Sequence, residues 1–280
     1  RSLIGYVRQG NMRPYLLDWG DLGDEERGFS LDDYVLKRLI PALEFCAQRN
    51  NGPISLIGYC MGGNLTLAAA CLRPDLVSKL VLLATPWDFH AEGEGSALVM
   101  ADIRRQFEPI MATQGHLPAD CLQLVFAGLD PTLIARKFRH FSKIHDQKTA
   151  HTFVTLEDWA NSGPPLSAPA AEQIFKCWYE DNSLISKQWI INSKVIDPET
   201  IQCPVLCVIP TNDRIVPPSS ARALAQQLSA KQIQPPLGHV GMIASRRAQE
   251  LCWKPIKEWL QAPVDDNNSH RVSLSIRGGL

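Results

Sequence analysis

The sequence lacks long apolar runs and blocks of a single charge. No stretch approaches the roughly 18 consecutive apolar residues that a membrane-spanning helix requires, so we expect no membrane span. The 28 lysines and arginines and the 29 aspartates and glutamates leave a net charge of −1, and no basic block is present. This charge pattern gives no reason to expect a nucleic-acid partner. Internal repeats and low-complexity tracts are also missing, which argues against solenoid and fibrous folds.

The cysteines form neither a disulfide pattern nor a metal-binding pattern. The chain has 8 cysteines, and most of them fall in apolar segments where a reduced thiol acts as a small core side chain. Cys203 and Cys207 lack the spacing and the histidine partners of a zinc site. In a chain of 280 residues this usage indicates a cytoplasmic protein, and we expect neither a metal nor a cofactor.

Apolar strand segments that alternate with helical segments predict an α/β architecture. With 280 residues, of which 45% are hydrophobic, the chain is long enough for one large domain with an insertion. The continuous apolar run at 79–85 is typical of a strand buried on both faces of a parallel sheet. Further strands are predicted at 13–18, 53–57 and 203–209, and a final helix is predicted at 241–260.

The segment 88–200 interrupts this alternation, because its pattern is mostly helical and loop-like. We therefore predict a helical cap at 88–200 that is inserted between two strands of the sheet. The core would comprise 1–87 and 201–262. A polar tail at 263–280 would follow the core.

One short motif between a predicted strand and a predicted helix points to nucleophilic chemistry. The sequence Gly-Tyr-Cys-Met-Gly-Gly at 58–63 has a glycine two residues before its cysteine and another two residues after it. A strand, a sharp turn and a helix with this spacing form a nucleophile elbow, here with a thiol instead of a hydroxyl. The turn strains the backbone and brings strand and helix close together, which explains the glycines. Cys60 is therefore predicted as a nucleophile whose thiolate faces a helix N-terminus; the alternative is a small core cysteine.

A carboxylate and a histidine follow in the order that this chemistry requires. Asp213 comes after the strand predicted at 203–209, and His239 stands between two glycines before the last helix. A base activates the thiol, and a carboxylate holds that base in one tautomer. The chain order nucleophile, acid, histidine is typical of the α/β-hydrolase fold. We therefore predict a triad of Cys60, Asp213 and His239; taken singly, the last two could be a turn aspartate and a surface histidine.

Other polar and aromatic residues are weaker candidates. For Asp88 and His90, which follow the strand at 79–85, structural roles are predicted. Trp159, Trp178 and Tyr179 have the spacing of core residues in the cap, although they could also line a tunnel.

Seven separated segments together resemble the polyhydroxyalkanoate synthases, in particular the short-chain-length class whose catalytic subunit works with a separate subunit. These segments lie in one order along most of the chain: Leu31–Val35, Gly58–Gly63, Ala84–His90, Leu156–Trp159, Trp178–Asn182, Asp213–Ser220 and Gly238–Met242.

The resemblance implies an acyltransferase that polymerises (R)-3-hydroxyacyl-CoA. Cys60 would carry the growing chain as a thioester, and His239 would deprotonate the thiol. Asp213 would support His239 and take part in activating the 3-hydroxyl of the incoming unit. The implied partners are the 3-hydroxyacyl-CoA substrate, a polyester granule, and either a second copy of the chain or a separate synthase subunit. The implied location is the cytoplasm, at the granule surface.

The resemblance also implies an α/β-hydrolase fold with a mostly parallel sheet, helices on both faces and the inserted cap. In this fold the backbone N–H after the nucleophile, here that of Met61, helps to bind the oxyanion. A second donor comes from a loop near the first helix, and we expect this loop and the first strands of the sheet to lie upstream of Arg1.

Two other functions fit some of these residues. A hydrolase with the same triad could be an intracellular polyester depolymerase, a thioesterase or a dienelactone-hydrolase-like enzyme. The separation of 153 residues between Cys60 and Asp213 is far longer than a capless enzyme of the last kind would have. A protein without activity could instead bind granules or a partner through its cap, but it would have no physical need for the complete triad.

Overall fold

The computed structural model describes residues 2–129 and 132–263, and a parallel sheet forms its centre. The strands, in chain order, are β1 (Ile54–Tyr59), β2 (Val77–Leu83), β3 (His116–Leu117), β4 (Leu166–Ser167), β5 (Ile190–Ile191), β6 (Lys194–Val195), β7 (Val205–Val208) and β8 (Lys231–Ile233). The central sheet has the order β1-β2-β7-β8, and all of its neighbouring strands are parallel. β3 pairs with β4 and β5 with β6 in two small antiparallel sheets.

Helices cover both faces of the central sheet. The α-helices, in chain order, are α1 (Leu3–Arg8), α2 (Leu31–Asp33), α3 (Ile40–Asn50), α4 (Met61–Leu72), α5 (Gly95–Gln114), α6 (Ala119–Leu129), α7 (Leu133–Phe141), α8 (Gln147–Asn161), α9 (Ala168–Glu172), α10 (Pro218–Gln227), α11 (Gly241–Ala244) and α12 (Lys254–Gln261). The described residues also form three π-helical segments. Tyr34–Leu39 follows α2, Gln173–Glu180 follows α9, and Gln249–Trp253 directly precedes α12. Short 3-10 helices lie at Glu26–Gly28, Pro74–Leu76 and Pro198–Thr200.

The inner strands are buried on both faces, as their apolar runs predict. Leu80 and Leu82 of β2 belong to a core that includes α4. Val81 and Leu83, which alternate with them, belong to a second core that contains Trp253 and also packs α12. Successive side chains of one strand therefore stabilise opposite layers of helices, and the predicted α/β fold class is confirmed.

The register of the strands aligns their carboxyl ends along one edge. Tyr59 pairs with Leu83, Leu83 with Val208, and Val208 with Ile233. The loops that leave β1, β2, β7 and β8 consequently begin side by side. In open parallel sheets this edge is the usual location of ligand-binding residues.

The chain between β2 and β7 forms a third small core. It includes Met100 of α5, Leu117 of β3, Val125 of α6, and Phe175 of the π-helical segment Gln173–Glu180. This segment is mostly helical, as its sequence pattern predicts. None of the helices in the described ranges combines the length and the apolarity that a membrane crossing needs.

Two predicted elements are wrong. Residues 13–18 are not a strand: they make no ladder with β1, and Leu16 is 76% exposed. The predicted helix at 241–260 consists of α11, a break after Ala244, a π-helical segment and α12. The predicted polar tail falls almost entirely on 264–280, outside the described residues.

Candidate active site

The chain turns sharply at Cys60, between the end of β1 and the start of α4. Cys60 has φ 53° and ψ −128°, a conformation that residues with a side chain rarely adopt. Its N–H donates to the carbonyl of Leu83 on β2 (2.8 Å), and its carbonyl accepts from the N–H of Gly63 (2.8 Å). These two hydrogen bonds hold the strained backbone in place and keep Cys60 at the carboxyl edge of the sheet.

Two of the three glycines of the motif allow strand and helix to approach each other. A Cβ at Gly58 would lie 2.6 Å from the Cα of Gly63, and a Cβ at Gly63 would lie 2.8 Å from the Cβ of Thr85. A Cβ at Gly62 would meet nothing within 4 Å. The close approach expected from the motif therefore involves Gly58 and Gly63, while Gly62 faces open space.

Asp213 lies in the loop after β7, and its carboxylate is fully engaged. Its Oδ1 accepts from the N–H groups of Ile215 and Val216, at 2.9 Å each. Its Oδ2 lies 2.7 Å from Nδ1 of His239. The Asp213 side chain is only 1% exposed, so these donors replace the water that a buried carboxylate would need.

His239 lies between Asp213 and Cys60. Nδ1 donates to Asp213, which leaves Nε2 for the sulfur. Burial lowers the pKa of His239, but hydrogen bonds to Asp213 and to Cys60 outweigh it, and together with the negative charge of both partners they raise this pKa to about 10. The site therefore stabilises an imidazolium next to the sulfur.

The other cysteines have no such environment. Burial raises the pKa of the Cys71 and Cys203 thiols to about 11 and that of Cys207 and Cys252 to about 12. Burial also raises the pKa of Cys46, Cys121 and Cys177. All eight cysteines lie in the described ranges, and all are free thiols. Because the thiolate is the nucleophile, these seven are expected to react slowly at neutral pH.

The Cys60 residue opens into an apolar cavity of about 580 Å³. One side of the cavity is formed by the elbow at 60–62, and another by the loop at 19–22. The remaining wall includes Phe175, Trp178 and Tyr179, from the segment between β2 and β7. Neither Asp213 nor His239 lines the cavity, so the acid and the base lie behind the sulfur.

The structure brings together the three residues predicted as a triad, and Met61 follows Cys60 at the first position of α4. Asp88 has a structural environment, because its Oδ1 accepts from the N–H of His90 and from the amide of Asn182. The ring of His90 lies 2.8 Å from the carbonyl of Tyr179. Both therefore lie in a network that joins the loop after β2 to the chain at 179–182.

The three aromatic residues predicted for the cap core differ in burial. Trp178 is a core residue and also lines the cavity, as does the half-buried Tyr179. The prediction for Trp159 is wrong, because it lies on α8 and is 54% exposed. Residues 19–22 and Tyr34 also line the cavity, but the sequence does not predict this. No local pattern indicates which loop will cross the mouth of a distant site.

Across the described ranges, no group of three His, Cys, Asp or Glu side chains is arranged to hold a metal ion.

Comparisons with known proteins agree with this architecture. A family model described as alpha/beta hydrolase fold matches residues 15–243. The chain is 28% identical over 266 residues to the poly(3-hydroxyalkanoate) polymerase subunit PhaC of Thiocystis violacea, covering 93% of this chain and 74% of that protein. It is 29% identical over 272 residues to the protein of the same name from Synechocystis sp., covering 93% and 72%. With the Haloferax mediterranei protein it shares 25% identity over 267 residues, which is 92% of this chain but 54% of the relative.

Solved structures support the fold alone. The monoacylglycerol lipase of Paleococcus ferrophilus has a TM-score of 0.58 at 18% identity, covering 92% of this chain and 86% of the lipase. A lipolytic enzyme from a study of LipS and LipT has a TM-score of 0.52 at 15% identity, covering 92% and 85%. Because the family model spans most of a chain whose parallel sheet carries a nucleophile elbow, the chain belongs to the α/β-hydrolase fold family, with sequence similarity to poly(3-hydroxyalkanoate) polymerase subunits.

Proposed function

We propose that this chain is an acyltransferase that polymerises (R)-3-hydroxyacyl-CoA into polyhydroxyalkanoate. The observation that carries the proposal is the hydrogen-bonded series Asp213, His239 and Cys60, which ends in a sulfur atom facing an apolar cavity. The similarity to polymerase subunits over more than 90% of the chain supports the choice of substrate.

The first step is a thioester exchange. His239 Nε2 takes the thiol proton, and the Cys60 sulfur attacks the carbonyl carbon of the acyl-CoA. The bond between that carbon and the CoA sulfur breaks, and the CoA thiolate takes the proton back from His239 and leaves as a thiol. One thioester replaces another, so the acyl group stays activated for a second transfer.

The second step forms the ester of the polymer. The 3-hydroxyl oxygen of one unit attacks the thioester carbon of another, and its proton passes to the base. The bond between carbon and the Cys60 sulfur breaks, and the proton returns to the thiolate. The lengthened chain leaves as the CoA thioester of the attacking unit and returns to Cys60 by a further thioester exchange. In this step Asp213 keeps the imidazole of His239 in the tautomer that accepts a proton at Nε2.

The N–H of Met61 is the proposed donor to the oxyanion in both steps. It lies at the first turn of α4, where backbone N–H groups have no partner within the helix and the helix dipole favours negative charge. In comparable sites the loss of one such donor lowers the rate by about 10²–10³.

The segment 88–200 is the proposed cap, with 1–87 and 201–262 as the catalytic core. It has a small hydrophobic core of its own and contributes Phe175, Trp178 and Tyr179 to the wall of the cavity. A covered site excludes water, and this favours transfer of the acyl group to an alcohol over hydrolysis.

We also propose where the enzyme works and with what. The product would accumulate as a polyester granule in the cytoplasm, with the enzyme at its surface. The protein partner would be either a second copy of this chain or a separate synthase subunit. The relatives support this point, because each is named as a subunit.

The proposal is tested by incubating the purified chain with 3-hydroxybutyryl-CoA. Release of CoA and the mass of the Cys60 peptide are followed together. We expect CoA release with adducts that grow in steps of one 3-hydroxybutyrate unit on that peptide. Cys60→Ala should abolish the adducts, whereas Cys121→Ala, which changes a cysteine that does not line the cavity, should keep them.

The other outcomes identify the competing functions. CoA release with free acid and no growing adduct would indicate a hydrolase with the same triad, such as a polyester depolymerase or a thioesterase. No release of CoA by the intact chain would contradict an acyltransferase and favour a binding protein. Full activity in Cys60→Ala would overturn the mechanism.

A further inference from the structure

Tyr59 contacts both the side chain and the main chain of His239. It is the last residue of β1, directly before Cys60. Its ring lies against the imidazole, with 4.9 Å between the ring centroids and 30° between the planes. Its hydroxyl donates to the carbonyl oxygen of His239 at 3.3 Å. One side chain therefore touches the base at two points.

Tyr59 and Cys60 pack into different layers of the protein, as expected for consecutive residues at the end of a strand. Tyr59 packs with the second core, together with Leu83 and Leu237, whereas Cys60 packs with the first core. The two consecutive side chains thus approach His239 from different directions. Tyr59 supports the ring from the layer that carries the histidine loop, and the sulfur meets the ring from the cavity.

The histidine loop needs such support. His239 lies between Gly238 and Val240, outside helix and strand, and α11 begins only at Gly241. Asp213 and Cys60 engage the two nitrogens of the ring, but hydrogen bonds alone leave the plane of the imidazole free to rotate. A stacked aromatic ring limits that rotation, because offset and tilted ring pairs have preferred planes.

We propose that Tyr59 is a positioning residue for His239, and that ring stacking and the bond to the carbonyl together keep Nε2 directed at Cys60. The role rests on the triad of the proposed function but not on the identity of the acyl substrate. Burial raises the pKa of the Tyr59 hydroxyl far above its ordinary value, so it remains a donor at every pH of interest.

The test measures alkylation of Cys60 by iodoacetamide as a function of pH. The modified peptide is quantified by mass spectrometry, so the other seven cysteines do not interfere. This readout needs no substrate and reports how reactive the Cys60 thiol is beside His239. Its failure is therefore distinct from failure of the polymerase assay.

Three variants separate the two contacts of Tyr59. Tyr59→Leu removes ring and hydroxyl, and we expect slower alkylation near neutral pH by up to about 100-fold, the effect of displacing a catalytic group by about 1 Å. Tyr59→Phe keeps the ring, and its rate of Cys60 alkylation should fall only a few-fold. Adding Tyr59→Leu to His239→Gln should cause no further loss, since the residue to be positioned is absent.

A matched control tests whether the effect is merely structural. Tyr6 also packs against the second core, with its ring 5.9 Å from that of Trp253, but it neither lines the cavity nor stacks on His239. Tyr6→Leu should lower the melting temperature and leave the pH profile of Cys60 alkylation unchanged. If Tyr59→Leu also lowers only the melting temperature, or if it slows alkylation equally in the His239→Gln background, the positioning role is wrong.

Discussion

At the residue scale, the site depends on two unusual local features. Cys60 has a positive φ that only the surrounding hydrogen bonds and close glycine contacts can maintain. His239 is buried next to two groups that stabilise its protonated form. Each feature leads to a measurable consequence.

The glycines of the elbow should differ in their tolerance of alanine. Gly58→Ala would place a methyl group 2.6 Å from the Cα of Gly63, and backbone atoms cannot move aside easily. We expect a loss of about 1–3 kcal/mol in the free energy of unfolding, measured by urea denaturation. Gly62→Ala, whose Cβ meets nothing within 4 Å, is the control and should be neutral or slightly stabilising in a helix. Equal losses in both variants would contradict the elbow geometry.

The raised pKa of His239 should appear in the pH dependence of stability. Below pH 6.5 the histidine is protonated in both the folded and the unfolded chain, so its full stabilisation is present. Between pH 6.5 and about 10 only the folded chain keeps the proton, and the stabilisation is lost as the pH rises. The free energy of unfolding of the wild type, relative to His239→Gln, should therefore fall by up to about 1.4 kcal/mol per pH unit. If the free energies of unfolding of the two proteins follow parallel curves over this pH range, the raised pKa of His239 is refuted.

At the element scale, the sequence predicts what local pattern controls and fails where distant contacts decide. The apolar runs at 79–85 and 203–209 predict buried strands; β7 lies within the second run, and β2 overlaps the first but begins and ends two residues earlier. The run at 13–18 has a similar pattern, but a strand also needs a paired neighbour, and none pairs with it among the described residues. The candidate triad could be predicted because the glycine spacing around Cys60 is a local motif and the chain order of the three residues can be read from the sequence. The stacking of Tyr59 on His239 could not, because no motif or order in the sequence marks a contact between these two residues.

A buried lysine joins β2 to the end of the last helix. Nζ of Lys79 donates to the carbonyls of Trp259 and Leu260, at 3.0 Å each, and to that of Ala262. These carbonyls lie at the C-terminus of α12, where the helix dipole also favours a cation.

Lys79→Met should leave the last carbonyls of α12 without this charged donor. We expect the free energy of unfolding to fall by about 1.5–3 kcal/mol, the range for hydrogen bonds to charged groups. Lys254→Met is the matched control, because Lys254 lies on α12 with a 63% exposed side chain and a loose ion pair to Glu258, so its removal should change stability by less than about 0.5 kcal/mol. Urea denaturation of both variants decides the matter; an unchanged midpoint in Lys79→Met would show that the buried contact contributes nothing.

At the scale of the whole molecule, the cavity depends on the packing of the segment between β2 and β7 against the central sheet and its helices. Trp178 is 1% exposed, and it belongs to the first core together with residues of β2 and α4. It is therefore both a contact between this segment and the sheet layer and a wall of the cavity.

Trp178→Ala should open this wall to water. We expect a loss of about 3–5 kcal/mol in stability and a larger fraction of acyl groups released as free acid instead of polymer. The ratio of free 3-hydroxybutyrate to released CoA measures this effect at a temperature where the variant remains folded. Trp159→Ala removes an exposed tryptophan of the same segment and should leave the ratio unchanged. An unchanged ratio in Trp178→Ala would show that the wall does not exclude water.

Because 153 residues separate Cys60 from Asp213, the parts of the site are synthesised in a defined order. A ribosome completes the elbow first, then the helices that cover it, and only afterwards the carboxylate and the imidazole. While the chain emerges, Cys60 therefore lacks both Asp213 and His239. The proposed triad becomes complete only after the segment that lines part of the cavity beside Cys60 has been synthesised.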